Sequence, residues 1–395
     1  MSAAFDIVDH PLLLQKLQLY GFDNCALNWM KSYLSERLQM VCIDGCQSNY
    51  REVDYGVPQG SILGPLLYTL FTNELPEVVH CHPNPSLGNC YQGEKHLMYN
   101  LGCQTCGGVV CYADDSTYFL SHKDPDTLSN MISEKYQALS EFLSSNRLKL
   151  NDEKTQLMVL TTSQKRRNLD TEMVKLNTPN GSISKSKAGK LLGVMLHEDL
   201  KWNDHIMGQE DSLLKSLSMR VAALRLLPKV SSFKIRKIVA NGIFMSKIGY
   251  AMPLWGGCSE FLIRSLQTIQ SKAAKIVVGY ERQVSASEAL VQCGWLSVRQ
   301  LSAYHTILLV RKVLKMRSPL SLLKMFDCQY IYPTRQAMSG QIKVSRKAEL
   351  DLVQNSFRCR AVNQYNRIPE EIRTLTSDEG FKMKIKEWIR KKIIS

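Results

Sequence analysis

Gly107-Gly108-Val109-Val110-Cys111-Tyr112-Ala113-Asp114-Asp115-Ser116-Thr117-Tyr118-Phe119-Leu120 is the stretch whose reading decides the fold. Strand-forming residues flank a short polar break, which predicts a strand, a two-residue turn and a second strand. Two adjacent carboxylates at the tip repel each other unless a cation sits between them. A divalent metal removes that cost and turns the pair into a Lewis-acid site. A solvated loop is the plainer reading of Asp114 and Asp115 taken alone, and the neighbouring segments decide against it.

Upstream, Ser2 to Val8 reads as a strand. Asp9-His10-Pro11 opens a helix, with Asp as cap and Pro in the first turn, and Gly21 stops it after Tyr20. A second helix is expected from Asn24 to Ser35. Arg37 to Ile43 and Tyr50 to Val57 read as paired strands around the Asp44-Gly45 turn signal. Gly56 to Ser61 breaks regular structure before an apolar helix from Leu63 to Val79. Downstream come an amphipathic helix, Thr127 to Asn146, a strand, Gln156 to Leu160, a hairpin at Asn180-Gly181, and a strand from Lys190 to Leu196. This order predicts a mixed α+β layer fold with the Asp-Asp turn near its centre. After Trp202 helical periodicity takes over: Asn203 to Leu226, Ser231 to Ile248, Ser259 to Val278, Val298 to Met316, and a basic end piece from Arg358 to Ile394. The limits expected are 1–200 for the first domain, 201–300 for a helical region and 301–395 for a helical basic segment. Trp202, Trp255 and Trp295 sit among apolar neighbours and read as core.

Composition narrows the function classes. The 395 residues are 44% hydrophobic, enough for real cores, and carry a formal net charge of +14. Such a balance points to a polyanionic partner, nucleic acid first. Twelve cysteines are too dilute for a disulfide scaffold, which places the chain inside the cell, nucleus or cytoplasm being left open. No apolar run reaches the length of a membrane span, since the longest, Ile62 to Phe71, contains Gly64 and Pro65. The insert 81–108 is rich in Cys, His, Gly and Asn. Cys103-Gln104-Thr105-Cys106 with Cys90, and with His82 and His96 nearby, is a candidate structural zinc set, against an ordinary reduced loop.

Taken in order, these segments resemble the reverse transcriptases of non-LTR retrotransposons, of the jockey and chicken-repeat type. SAAFDIVDHPLLLQKL (2–17) is similar to the family's first palm motif, GVPQGSILGPLLYTLF (56–71) to the nucleotide-pocket motif, and YADDSTYFLS (112–121) to the metal-binding hairpin. LKLNDEKTQLMVL (148–160) is similar to the fourth motif and KLLGVMLHEDLKW (190–202) to the primer-grip region. PLWGG, QSKAAKIV, GWLSVRQ and YNRIPEEIR further on resemble the helical thumb and C-terminal segment. The resemblance implies a polymerase palm, an antiparallel sheet packed on helices, followed by an α-helical thumb.

It also implies RNA-directed DNA polymerase chemistry with Mg²⁺ or Mn²⁺, an RNA template, a DNA primer or target, and deoxynucleoside triphosphates. Asp114 would be the principal metal ligand, supported by Asp115. Phe5 would stack under the sugar, its other reading being a core aromatic. Pro58, Gln59, Gly60 and Ser61, with Tyr112, would line the template–nucleotide pocket. Lys154 would protonate the leaving pyrophosphate, a solvated lysine being the alternative. Leu192 and Gly193 would meet the primer. A third family carboxylate, counted back from Phe5, falls immediately before Met1, and Asp6 lies about 20 Å from that position along an extended strand. The family's fingers segment also precedes this point. The expectation is therefore of a truncated chain with little or no activity, or a nucleic-acid-binding remnant.

Overall fold

The computed structural model describes residues 4–79, 108–161, 166, 174–178, 181–209, 211–227, 231–279, 284–326, 341–342 and 356–392. They divide into two compact units, 1–186 and 187–395.

The first unit is built on capped helices, the first capped as the sequence predicts. Asp9 accepts the Leu12 N–H at the start of α1 (His10–Leu19), and Asp23 does the same for Ala26 at α2 (Asn24–Leu34). The expected single helix from Leu63 to Val79 is two, α3 (Leu63–Phe71) and α4 (Leu75–Val79). Pro76 explains the break: it lacks an N–H, and its ring clashes with the carbonyl four residues earlier. Helix α5 (Pro125–Ser145) starts on Asp124. Leu13 and Leu17 of α1, Leu67 and Phe71 of α3, and Leu139 and Leu143 of α5 close the core.

The strands depart most from expectation. Ser2 to Val8 does not form a strand within its described part: residues 4–8 run as turns and a bend. Ala4 and Val8 are buried and Phe5 and Ile7 also pack on the core, so there is none of the alternation a half-buried strand needs. The segment is pinned instead to 55–57, by Gly56 N–H to Val8 O and Val57 N–H to Phe5 O, both 2.8 Å, and by a bridge between Asp9 and Tyr55. The pair expected around Asp44-Gly45 is a nested, exposed ribbon, β1 (Leu38–Gln39) with β4 (Arg51–Glu52) and β2 (Cys42–Ile43) with β3 (Cys46–Gln47). Both turn residues have positive φ, 50° and 84°, as a type I′ turn requires.

Strand β5 (Gly108–Tyr112) pairs with β6 (Asp115–Phe119), and β7 (Leu176–Thr178) with β8 (Gly181–Ile183). Gln156 to Leu160 makes only one bridge, Leu157 to Lys185. Lys190 to Leu196 is a hairpin rather than a strand, β9 (Ala188–Leu191) with β10 (Val194–His197), because Leu192 and Gly193 form its turn. Among the described residues every ladder is two-stranded. Among the described residues the fold is thus α+β, helices with small antiparallel ribbons.

The second unit is helical after β10. The expected helix 203–226 is α6 (Asn203–Met207) and α7 (Leu213–Arg225), the second capped by Ser212. The expected helix 231–248 is α8 (Phe233–Ala240) and α9 (Ser246–Gly249), joined through a π-helical turn at Asn241–Met245. Then come α10 (Met252–Trp255), α11 (Glu260–Val278), α12 (Ala286–Cys293), α13 (Val298–Met316), α14 (Leu320–Met325), α15 (Phe357–Asn366), α16 (Glu370–Arg373) and α17 (Asp378–Lys392). Capping boxes on Ser285 and Ser297 start α12 and α13. Trp255 and Trp295 are buried and Trp202 packs on the same core, as read from their neighbours. Among the described residues no helix is long and apolar enough to cross a membrane.

Candidate active site

The β5–β6 register sets where the two carboxylates point. Tyr112 pairs with Asp115, so Ala113 and Asp114 are the turn residues and Asp115 begins β6. Ala113 has φ 52°, a left-handed conformation that usually falls to glycine. Side chains alternate across the ribbon. Val109, Cys111, Ser116 and Tyr118 share one face; Val110, Tyr112, Asp115 and Thr117 share the other. The first face turns inward, with Val109 buried and Tyr118 packed on the core. The second is open: Val110 and Tyr112 are exposed, as is Asp115.

Asp114, half-buried, lies beside a residue the sequence reading did not single out. Tyr68 on α3 is almost fully buried. Burial pushes its hydroxyl well above the usual tyrosine range, and the charges of Asp114 and Cys111 push it further. Phe5 stacks on the Tyr68 ring, centroids 4.6 Å apart. Tyr68 is thus the residue that the Phe5 ring stacks on and that feels the Asp114 charge. The signal was present: Gly64, Leu67, Tyr68 and Phe71 are the buried stripe of α3, at i, i+3, i+4 and i+7, and a tyrosine in such a stripe needs a reason for its hydroxyl. The Cys111 thiol is also pushed up by burial.

Pro58 to Ser61 forms the turn into α3. The Ser61 hydroxyl donates to Pro58 O at 2.8 Å and accepts the Gly64 N–H at 2.9 Å, which satisfies one of the orphan donors of the helix start. Gln59 and Gly60 are exposed. The Gln59 amide donates to the Asp6 carboxylate at 2.7 Å. Val57 N–H holds Phe5 O and Gly56 N–H holds Val8 O, so the pocket motif and the Phe5 segment are joined at three points.

Lys154 is exposed at the end of a 3₁₀ turn (Asp152–Lys154) whose start Asn151 caps. Leu192 and Gly193 belong to the second unit. Both have positive φ, 46° and 79°, and the Tyr250 hydroxyl donates to Leu192 O at 2.6 Å. Cys90, Cys103 and Cys106, with His82 and His96, lie outside the described residues. Among the described residues no group of three or more His, Cys, Asp or Glu could hold a metal ion. Asp114 and Asp115 are the two carboxylates at the hairpin. Two hard-oxygen ligands suit Mg²⁺, which keeps several waters and takes one or two carboxylates together with substrate phosphates.

An α+β fold with two adjacent carboxylates at a hairpin turn is the setting for the chain's matches among known families. Residues 1–196 match the family "Reverse transcriptase (RNA-dependent DNA polymerase)". More particularly, the chain resembles the reverse transcriptases of non-LTR retrotransposons. It is 27% identical over 284 residues to the RNA-directed DNA polymerase from mobile element jockey of Drosophila funebris, covering 71% of this chain and 28% of that protein. It is 27% identical over 292 residues to the probable RNA-directed DNA polymerase from transposon BS of Drosophila melanogaster, covering 70% and 28%. A probable RNA-directed DNA polymerase from transposon X-element, also of Drosophila melanogaster, is 26% identical over 255 residues, covering 64% and 25%. The chain therefore spans roughly a quarter of the length of these relatives.

Proposed function

We propose that the chain is the palm and helical thumb region of an RNA-directed DNA polymerase that extends a DNA primer on an RNA template. The observation that supports this reading is the Asp114-Asp115 turn of the β5–β6 hairpin, with the Phe5 ring stacked on Tyr68, the buried tyrosine that feels the Asp114 charge. It pairs a carboxylate able to hold a metal with a ring able to carry a sugar. Mg²⁺ or Mn²⁺, when bound, would supply the Lewis acid that stabilises the attacking and leaving oxygens. Asp114 would hold it from the turn, with Asp115 offering oxygen from the first position of β6. The Phe5 ring would support the sugar of the incoming deoxynucleotide. Pro58 to Ser61 would border the base pair, Gln59 exchanging its bond to Asp6 for one to the nucleotide, and the exposed ring of Tyr112 would border the same space. Lys154 would give its proton to the leaving pyrophosphate. In the second unit, the Leu192-Gly193 turn would meet the primer strand.

The test uses the full chain and two readouts. Mn²⁺ binding is followed by paramagnetic resonance in wild type, Asp114→Asn and Asp115→Asn. Asp114→Asn is expected to lose binding by more than the roughly 10–100-fold typical of an outer-shell partner, and Asp115→Asn by less. Extension of a labelled DNA primer on an RNA template is measured in the same proteins, and any extension by wild type vanishes in Asp114→Asn. Equal Mn²⁺ affinity in all three proteins refutes the reading.

A further inference from the structure

Helix α17 brings cations to a place where, among the described residues, no carboxylate meets them. Gly294 is the left-handed C-cap of α12, φ 65°. Arg390 of α17 donates from Nη2 to its carbonyl at 2.7 Å. A Cβ on Gly294 would stand 3.6 Å from Lys237 Nζ of α8 and 3.7 Å from Arg390 Nη2, so the two charged heads lie within about 7 Å of each other. Lys386 is one turn before Arg390 on α17, hence on the same face. It is half-buried, and its ammonium is held below the usual lysine range by burial and by the charges of Arg390 and Lys237. Three cations from two helices thus converge on the end of a third.

Their compensation is incomplete. The C-terminus of a helix carries about half a negative charge, which offsets a fraction of three positive ones. Among the described residues no carboxylate pairs with Lys237, Lys386 or Arg390. Glu387, next to Lys386, is bonded to Lys391 at 3.0 Å. Glu288 closes the capping box at the opposite end of α12. On α8, Arg236 is engaged with the Val277 and Ser231 carbonyls, and Lys234 adds a further exposed positive charge. An aromatic completes the patch: Lys237 Nζ lies over the Phe233 ring at 5.8 Å, and that ring is exposed.

We infer that Lys237, Lys386 and Arg390, gathered around Gly294, form a cradle for a backbone phosphate of a nucleic-acid strand, with Phe233 as the platform on which an adjacent base stacks. A phosphodiester supplies the missing negative charge, and its oxygens suit a guanidinium and two ammonium groups. The exposed aromatic beside the cations favours nucleic acid over an acidic peptide, since bases stack on aromatic faces. The net charge of +14 points the same way. This site belongs to the helical unit alone and stands whether or not the Asp114 hairpin binds metal.

The experiment measures binding of a labelled single-stranded DNA to the full chain by fluorescence anisotropy over a range of salt. The variants are Lys386→Gln, Arg390→Gln and Phe233→Ala, with Lys312→Gln, an exposed lysine of α13, as the charge-matched control. Each cradle variant is expected to weaken binding about tenfold, and loss of the phosphate contact to flatten the log K against log salt slope by about 0.7. Phe233→Ala weakens binding without changing the slope. Because Arg390 also caps α12, the fold is checked independently: inorganic phosphate raises the melting temperature of wild type and not of Lys386→Gln. Variants that behave as Lys312→Gln does overturn the proposal. So does a cradle whose loss abolishes binding of polyglutamate while leaving DNA binding intact.

Discussion

Replacing Gly56 by alanine tests the join between the Phe5 segment and the pocket motif. Two costs arise there and can be separated. Gly56 has φ +85°, where an L-residue is strained by about 1–2 kcal/mol. In addition, its Cβ would stand 2.8 Å from Asp6 Cα and from Asp6 O. Backbone cannot swing aside as a side chain does, so residues 5–9 must move. That movement breaks Gly56 N–H to Val8 O and Val57 N–H to Phe5 O, both 2.8 Å, and the contact of His10 Nε2 with Gly56 O at 2.7 Å. At about 1 kcal/mol each, these bring the expected loss to about 4–5 kcal/mol. Gly45 is the control: its φ is +84° and nothing lies within 4 Å of its Cβ, so Gly45→Ala should cost only the strain. A urea titration read by hydrogen exchange on peptides spanning Phe5–Tyr20 and Gly56–Phe71 reports the first unit alone. Gly56→Ala is expected to lose about 3 kcal/mol more than Gly45→Ala. Equal losses would mean that no backbone opposes the new Cβ, and the close approach on which the placing of Phe5 depends would be refuted.

Further outcomes follow from groups elsewhere. Lys16 is buried, its Nζ bonded to Phe71 O at 2.7 Å and to Glu74 at 2.6 Å, between the rings of Phe71 and Phe142. Glu74→Gln leaves that ammonium buried without its counter-ion and should cost about 3 kcal/mol, whereas Lys16→Met, which fills the same slot between two rings, should cost less; urea unfolding of the two variants in the reverse order counts against this. His205 is buried, takes the Met195 N–H on Nδ1 at 3.3 Å, and is pushed down to about 4 by burial first and by the Lys247 charge second. Its unfolded form, with a pKa near 6.5, binds more protons, so its contribution is complete above about 6.5 and is lost as pH falls toward about 4. The melting temperature should fall across that window more steeply in wild type than in His205→Gln, and equal slopes contradict the assignment.

Local signals were legible wherever one residue type has one conformational use. Asp9 caps its helix with Pro11 in the first turn, Gly21 at positive φ follows its end, and Asp44-Gly45 makes the predicted turn. Element limits were not legible where period and tertiary partner together set the structure. Phe5, Ile7 and Val8 look like a strand by propensity, yet Ala4 and Val8 are buried with Phe5 and Ile7 packed beside them, and a strand would have turned alternate ones outward. Lys190 to Leu196 has strand composition throughout, and nothing in Leu192 itself announces a left-handed turn; only Gly193 does. Pro76 and the π-helical turn at Asn241–Met245 divided helices that hydrophobic spacing alone had joined. In the candidate site the carboxylates were evident because adjacent aspartates between strands are chemically conspicuous. Tyr68 was not, because a tyrosine in an apolar stripe reads as core until the hairpin brings Asp114 to it.

The turn that carries Asp114 sets a last expectation. Ala113 occupies the first turn position with φ 52°, where glycine is the unstrained choice. Ala113→Gly removes strain of about 1 kcal/mol but restores chain entropy to the unfolded state worth about 0.4–1 kcal/mol. Stability should therefore change little. The alanine restricts the turn, however, and Asp114 is the next residue, held half-buried against the helix face that carries Tyr68. A glycine widens the range of directions the carboxylate samples. Mn²⁺ affinity should fall several-fold while the urea midpoint stays in place, because only the ordering of the ligand has been given up. Tighter Mn²⁺ binding by Ala113→Gly would instead mean that the strained turn holds Asp114 away from the metal, and the site would have to be read as one that opens before it binds.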